Sequence, residues 1–158
     1  MSLLPLFGWF DSSAVGEAIR ESTWLFPVIE AFHLLGLAVI GGAVLLVDLR
    51  LLGLGLRRQP VDQIARDAQP WLIGSLIAML SSGFLLFTSE AVKCYYHDAF
   101  RIKMTSLILA IVFTFTVRRK VTLAEPGRVG PFWSGIVAVV SVTLWSGVGI
   151  GGRWIGFS

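Results

Sequence analysis

The stretch "WLFPVIEAFHLLGLAVIGGAVLLVDLR", residues 24 to 50, decides the fold class. It is apolar over a length sufficient to cross the hydrocarbon core of a bilayer, which takes about 20 residues of α-helix. Within it lie a carboxylate, Glu30, and an imidazole, His33. An ionisable side chain inside a membrane span is costly in free energy, so this pair marks a candidate functional site.

The composition of the whole chain is that of an integral membrane protein. The 158 residues are 55% hydrophobic and 15% charged, whereas about 25% of residues are charged in soluble domains. The net charge of +3 is not gathered on a basic face, so nucleic acid is not an expected partner. Cys94 is the only cysteine, which excludes an internal disulfide.

Four apolar runs predict four transmembrane helices, at about residues 24–47, 71–87, 102–117 and 132–150. Backbone groups in lipid must pair within the chain, so each run is expected to be helical. The predicted fold is therefore all-α, a four-helix transmembrane bundle over residues 24–158.

Residues 1–23 are predicted to form an N-terminal arm with one short interfacial helix, capped by Asp11 or Ser12. The start, "MSLLPLFGWF", lacks the basic region and the small-residue cleavage pattern of a signal peptide. We expect the first span to act as an uncleaved insertion signal.

The distribution of lysine and arginine predicts the orientation. The loops after the first and third spans are the richest in these residues, so we expect them to face the cytoplasm. Both termini would then lie outside the cytoplasm, in the inner membrane of a bacterium. The residues that carry this prediction are Arg50, Arg57, Arg58 and Arg66, and Arg118, Arg119, Lys120 and Arg128.

Glu30 and His33 are the polar pair with the deepest predicted position. Their i, i+3 spacing places them on one helix face, and His33 lies roughly 13 Å along the helix from Trp24. Three roles remain open: a hydrogen-bonded tie between helices, proton transfer, or ligation of a metal or haem by His33 with Glu30 orienting the other ring nitrogen. Further along, Gly36 and the pair Gly41-Gly42 are expected to allow close helix approach.

The remaining candidate ligands are few. His97 lies in the outer loop, so a bis-histidine haem with His33 is not favoured. Zinc would need three or four ligands where Glu30 and His33 supply two, and a single Glu-x-x-His is only half of a di-iron motif. Copper handling by Glu30 and His33 with Met104 or Cys94 is a further alternative.

Lys103 opens the third span from the outer side, in "FRIK" at residues 100 to 103. Its long stem can snorkel to the headgroups. Alternatively, it can reach inward to ligate a cofactor or to pair with an acidic group such as a haem propionate. Small residues in "SSG" at 81–83 and "SGVGIGG" at 146–152 suit helix packing and could also admit a flat macrocycle.

The order of these features resembles a family. The features are Pro27-x-x-Glu30-x-x-His33-x-x-Gly36, "DLRLLG" at 48–53, "QPW" at 69–71, "SSGFLLF" at 81–87 and "FRIK". Over nearly the whole chain they resemble an uncharacterised bacterial family of small four-helix membrane proteins. More distantly, the chain is similar to the HemJ-type protoporphyrinogen oxidases and to CopD-type membrane domains.

The HemJ-type resemblance implies a cofactor. In that type, a first-helix histidine and a lysine that opens a later helix bind haem b, and the matching positions here are His33 and Lys103. The expected function is haem-based electron transfer or a membrane oxidoreductase step. The alternatives are a cofactor-free structural or assembly subunit and a copper-handling protein. Expected partners are the lipid bilayer and a second copy of the chain or a larger membrane complex.

Overall fold

Helices joined by short turns make up the described part of the chain. The computed structural model describes residues 3–125 and 127–155, and these contain helices and no strand. The helices are α1 (Leu4–Asp11), α2 (Ala14–Glu21), α3 (Leu25–Leu51), α4 (Val61–Ser89), α5 (Ala91–Tyr96), α6 (Asp98–Thr122) and α7 (Pro131–Ile155). The predicted all-α class is confirmed. Residues 1–2 of the predicted N-terminal arm, and residues 126 and 156–158 of the predicted transmembrane domain, lie outside the described ranges.

Four of the described helices, α3, α4, α6 and α7, are long and apolar enough to cross a membrane. The chain is therefore a multi-pass membrane protein. All four spans are longer than the apolar runs predicted, because a helix continues past the hydrocarbon into its polar flanks. Five of the eight cations that were predicted as loop residues consequently lie within helices, and their prediction as loop residues was wrong. They are Arg50 in α3, Arg66 in α4, and Arg118, Arg119 and Lys120 in α6.

Helix α3 is the centre of the bundle. It packs against α4 on one side and α7 on the other, and α6 packs against α7. The main buried core lies among these helices and includes Ile40, Val44, Val47 and Met79. We call the end where α3 and α6 begin the His33 end, and the end where they finish the Arg118 end.

Glycines set the closest helix contacts. A Cβ built on Gly36 would lie 3.5 Å from the backbone oxygen of Ser75, and one on Gly151 would lie 3.2 Å from Cβ of Lys103. The expectation that Gly41 and Gly42 bring helices together was wrong, because the space beside both is open. These two glycines lie off the buried stripe of α3, which runs through Gly36 and Ile40.

The N-terminal arm contains two docked helices rather than one. Ser13, not Asp11 or Ser12, caps α2 by accepting a hydrogen bond from the Gly16 N–H at 3.1 Å. The Asp11 carboxylate instead makes tertiary contacts, accepting from Arg20 at 2.9 Å and from the backbone N–H of Val92 at 3.3 Å.

Aromatic packing holds α1 against the bundle. Phe7 contacts the rings of Phe87, Tyr95 and Phe100, with centroid separations of 5.3, 5.2 and 6.5 Å. Trp9, by contrast, is exposed, as expected of a side chain at the headgroup level.

An ion pair between Asp48 and Arg118 is buried at the Arg118 end. The Arg118 Nε–H donates to Oδ1 of Asp48 at 2.8 Å, and its terminal nitrogen donates to the Val44 carbonyl at 3.0 Å. The side chain of Asp48 is 0% exposed and that of Arg118 is 7% exposed. The charge of Asp48 therefore has an opposite charge on another helix, inside the bundle.

A π-helical segment, Thr114–Arg118, presents the arginine to this site. Its wider turn leaves both Thr114 and Arg118 buried, and the Thr114 hydroxyl accepts a hydrogen bond from the Trp145 indole at 3.2 Å. Segments of this kind often occur where a helix must place particular side chains. Here the segment ties α6 to both α3 and α7.

Removing one partner of the ion pair is expected to destabilise the protein strongly. Asp48→Asn or Arg118→Met leaves a buried charge without its counter-charge, which costs about 3–5 kcal/mol. The double variant Asp48→Leu/Arg118→Met removes both charges and should recover most of that loss. The free energy of unfolding, measured by denaturant titration in detergent, tests both statements.

Arg119→Met serves as the matched control, because Arg119 is exposed on the same helix. This substitution should change the free energy of unfolding by no more than about 0.5 kcal/mol. Single variants as stable as this control would contradict the role assigned to the ion pair.

Candidate functional site

A cavity of about 350 Å³ lies at the His33 end, among all four spanning helices and α5. This volume falls in the lower part of the range of small-molecule sites, roughly 300–1,000 Å³. Its walls are mainly apolar, and the charged side chains that line it are Glu30, Glu90, Lys93, Lys103 and Arg153. His33 and Lys103, predicted from sequence as a possible pair, both line this cavity.

His33 contacts a serine of the neighbouring span. Its Nδ1 lies 3.0 Å from the Ser82 hydroxyl, and that hydroxyl lies 2.7 Å from the Ala78 carbonyl, to which it can donate its proton. When it does so, Ser82 accepts from Nδ1–H. In that tautomer the neutral ring carries its lone pair on Nε2, which is the state of an imidazole able to ligate a metal.

Gly83 leaves room for the imidazole. A Cβ at this position would lie 3.0 Å from Cε1 of His33, which is closer than ordinary contact. Gly83 also lines the cavity. The tripeptide "SSG" at residues 81–83 thus supplies both the hydrogen-bond partner of the ring and the space beside it.

The residue in contact with Nδ1 of His33 is Ser82, whereas the sequence interpretation placed Glu30 beside the ring. Glu30 lines the same cavity but is exposed, and the described contacts include no hydrogen bond between it and His33. Sequence reasoning missed Ser82, because a serine inside a span most often bonds its own helix backbone. The available signal was its location in a small-residue stretch at the depth of His33.

Lys103 is held against α7 by two glycines. Its backbone approaches Gly151, and its Nζ lies 3.5 Å from where a Cβ on Gly152 would stand. Side chains on Gly151 or Gly152 would crowd the lysine stem. The Gly-rich end of α7 therefore keeps Lys103 alongside the cavity.

Other candidate ligands are placed elsewhere or stay isolated. His97 joins α5 to α6 and does not line the cavity, and Met104 is 38% exposed and lies outside the cavity lining. Cys94 is buried in the cavity wall. Among the described residues, no three of His, Cys, Asp and Glu come together as a metal-binding group.

Comparison with known families gives one match. The profile of DUF6644, a family of unknown function, matches residues 6–158, a range that includes all four spans and the cavity. The chain belongs to the DUF6644 family. No curated protein and no solved structure matches the chain. Because the function of the family is unknown, membership assigns no activity to the cavity. The similarity to HemJ-type and CopD-type proteins stays a prediction.

The Cys94 thiol is expected to react slowly with alkylating reagents. Burial, and next to it the Glu90 carboxylate, raises the pKa of this thiol from its ordinary value of 9.0 to about 11. The thiolate is the reactive form, so at a pH of about 8 only about one thiol in a thousand is reactive. Iodoacetamide labelling of the detergent-solubilised protein, followed by mass spectrometry across pH, measures this.

The rate should still be rising above a pH of about 10, whereas a free cysteine levels off about 2 units lower. Cys94→Ser removes the only thiol and is the blank. A profile that matches free cysteine would contradict the burial of Cys94.

Proposed function

We propose that this protein binds haem b in the cavity at the His33 end and serves electron transfer or a membrane oxidoreductase step. The observation that carries the proposal is the His33–Ser82 contact: a buried imidazole that lines the cavity meets Ser82 through Nδ1, which leaves Nε2 as the nitrogen available for a ligand bond. Haem iron is commonly ligated by an imidazole nitrogen of this kind.

The residues of the cavity fit the chemistry of haem. The apolar walls suit a macrocycle, and Lys93, Lys103 and Arg153 suit the carboxylates of its propionates. Gly83 makes room for the His33 ring, and Gly152 makes room for the Lys103 stem. A bound haem would supply a one-electron redox couple whose potential depends on its ligands and its burial.

Each residue has a distinct proposed task. His33 ligates through Nε2, and Ser82 holds the ring and its tautomer, as hydrogen-bond partners of metal-bound histidines do. Lys103 is the second ligand or a propionate partner. Glu30, on the cavity wall, is placed to adjust the local charge rather than to orient His33.

A cofactor-free structural or assembly subunit is the second candidate. One observation favours it: the hydrogen bond to Ser82 already ties α3 to α4, so His33 has a structural role without any ligand. In this case His33→Ala would lower thermal stability, and the wild type would show no haem spectrum. Copper handling is less well supported, because Met104 lies outside the cavity lining.

The spectrum of the purified protein tests the haem proposal. Wild type should show a b-type reduced-minus-oxidised difference spectrum, His33→Ala should lose it, and His97→Ala should keep it. Lys103→Met should retain haem with a shifted spectrum, since one ligand or propionate contact is lost. The absence of any band in the wild type would refute haem binding, and an unchanged band in His33→Ala would refute the ligand assignment.

Ser82→Ala and Glu30→Gln form a matched pair on the same cavity. Loss of the Ser82 hydroxyl should weaken haem binding about 10- to 100-fold, as loss of a hydrogen-bond partner behind a ligand does. Glu30→Gln should have a smaller effect, because it makes no described contact with the ring. Haem titration of the apoprotein compares the two.

We also propose that the protein lies in the bacterial inner membrane with both termini outside the cytoplasm. The excess of lysine and arginine at the Arg118 end supports this orientation, since cytoplasmic flanks carry such an excess. The cavity would then open toward the outer half of the membrane.

Reporter fusions test the orientation. A reporter active only in the cytoplasm should be active when fused at residue 60, between α3 and α4, and inactive when fused after α7. A periplasmic reporter should give the reverse pattern at both sites. Cytoplasmic activity of the fusion after α7 would overturn the proposed topology.

A further inference from the structure

A second site lies at the Arg118 end, where a groove of about 900 Å³ runs beside the last turn of α6 and the connection to α7. Three cationic side chains line it: Arg119, Lys120 and Arg128. The apolar residues Phe115, Leu123 and Val129 form much of the remaining lining. We call this set of six residues the basic groove.

The three cations of the basic groove are exposed. Within residues 3–125 and 127–155, none of them takes part in an ion pair. The nearest acidic residue in sequence, Glu125, lines the adjoining groove instead. The basic groove therefore concentrates three positive charges that have no ion-pair partner in the described part of the chain.

We propose that the basic groove binds an anionic phospholipid, with the phosphate held by Arg119, Lys120 and Arg128 and the start of an acyl chain against Phe115. Helix α6, a candidate span, ends beside the groove, so the groove is expected at the level of lipid headgroups. Basic pockets at such positions recognise anionic headgroups. The mixture of apolar wall and clustered charge matches a molecule that has both parts.

A simpler account assigns the cations to orientation signalling and to the negative end of the α6 dipole. The dipole accounts for Arg119 and Lys120, which lie in the last turn of the helix. It does not account for Arg128, which lies beyond the helix and yet lines the same groove. Convergence of residues from two segments on one concavity is what a binding site requires.

The other arginine-rich segment at this end of the bundle differs. Arg57 donates to the Gly53 carbonyl at 2.7 Å and Arg50 donates to the Gln59 carbonyl at 2.8 Å. Arg66 lies 4.0 Å from Asp62. These three guanidinium groups have local contacts, and no arginine of this segment lines the basic groove, so the segment offers a control of similar charge outside it.

The experiment compares two double variants that lose equal charge. Lys120→Gln/Arg128→Gln removes two cations of the basic groove, and Arg58→Gln/Arg66→Gln removes two exposed arginines outside it. Binding of short-chain phosphatidylglycerol and of phosphatidylcholine is measured by native mass spectrometry in a non-ionic detergent. Thermal unfolding of each variant verifies that the fold is retained.

Wild type and the Arg58/Arg66 variant should bind phosphatidylglycerol in preference to phosphatidylcholine. The Lys120/Arg128 variant should bind phosphatidylglycerol about 30-fold more weakly, or about fivefold for each cation lost. Added salt should weaken the wild-type interaction, since exposed charges are screened. Equal losses in both double variants would overturn the proposal, as would equal binding of the two lipids.

A separate arm distinguishes a lipid from a free anion. Inorganic phosphate alone should neither raise the melting temperature nor compete with phosphatidylglycerol at millimolar concentration. Competition by phosphate would identify a site for small anions and would overturn the lipid assignment. The result is independent of haem, because it concerns the opposite end of the bundle.

Discussion

The buried ion pair between Asp48 and Arg118 is the constraint on which the arrangement of the helices depends. A charge inside a membrane bundle is tolerated only where its partner is fixed, because loss of hydration is not offset otherwise. The pair joins α3 to α6, which do not otherwise pack closely along their lengths. The requirement that the two charges meet therefore selects one rotation and one depth for each helix.

Not every polar atom around the Asp48–Arg118 ion pair has a hydrogen-bond partner. Among the described residues, the second carboxylate oxygen of Asp48 and the Ser141 hydroxyl have no hydrogen-bond partner, although both are fully buried. Ser141 belongs to α7 and faces the carboxylate. The polar centre thus involves a third helix.

The sequence was sufficient for the coarse structure and for part of the site. The lengths of the apolar runs predicted four spans, because the thickness of the hydrocarbon core sets the length of a spanning helix. His33 and Lys103 were placed in one predicted site because both lie in the outer half of their spans. The sequence did not identify Asp48 and Arg118 as partners, since Asp48 was read only as the start of "DLRLLG" and Arg118 as a residue of the loop after the third span. It also missed Ser82, because the contact with His33 depends on the rotation of α4 about its axis, which apolar length does not determine.

The ion pair also explains why His33 and Lys103 share a cavity. Helices α3 and α6 are the first and third spans, so they run in the same direction through an up-and-down bundle. His33 precedes Asp48 by 15 residues, and Lys103 precedes Arg118 by the same number. Fifteen residues of helix rise about 22 Å, so contact at the Arg118 end places His33 and Lys103 at similar depth at the other end. A substitution that shifts the ion pair should therefore also disturb the cavity, even though the two sites are separated by most of the membrane.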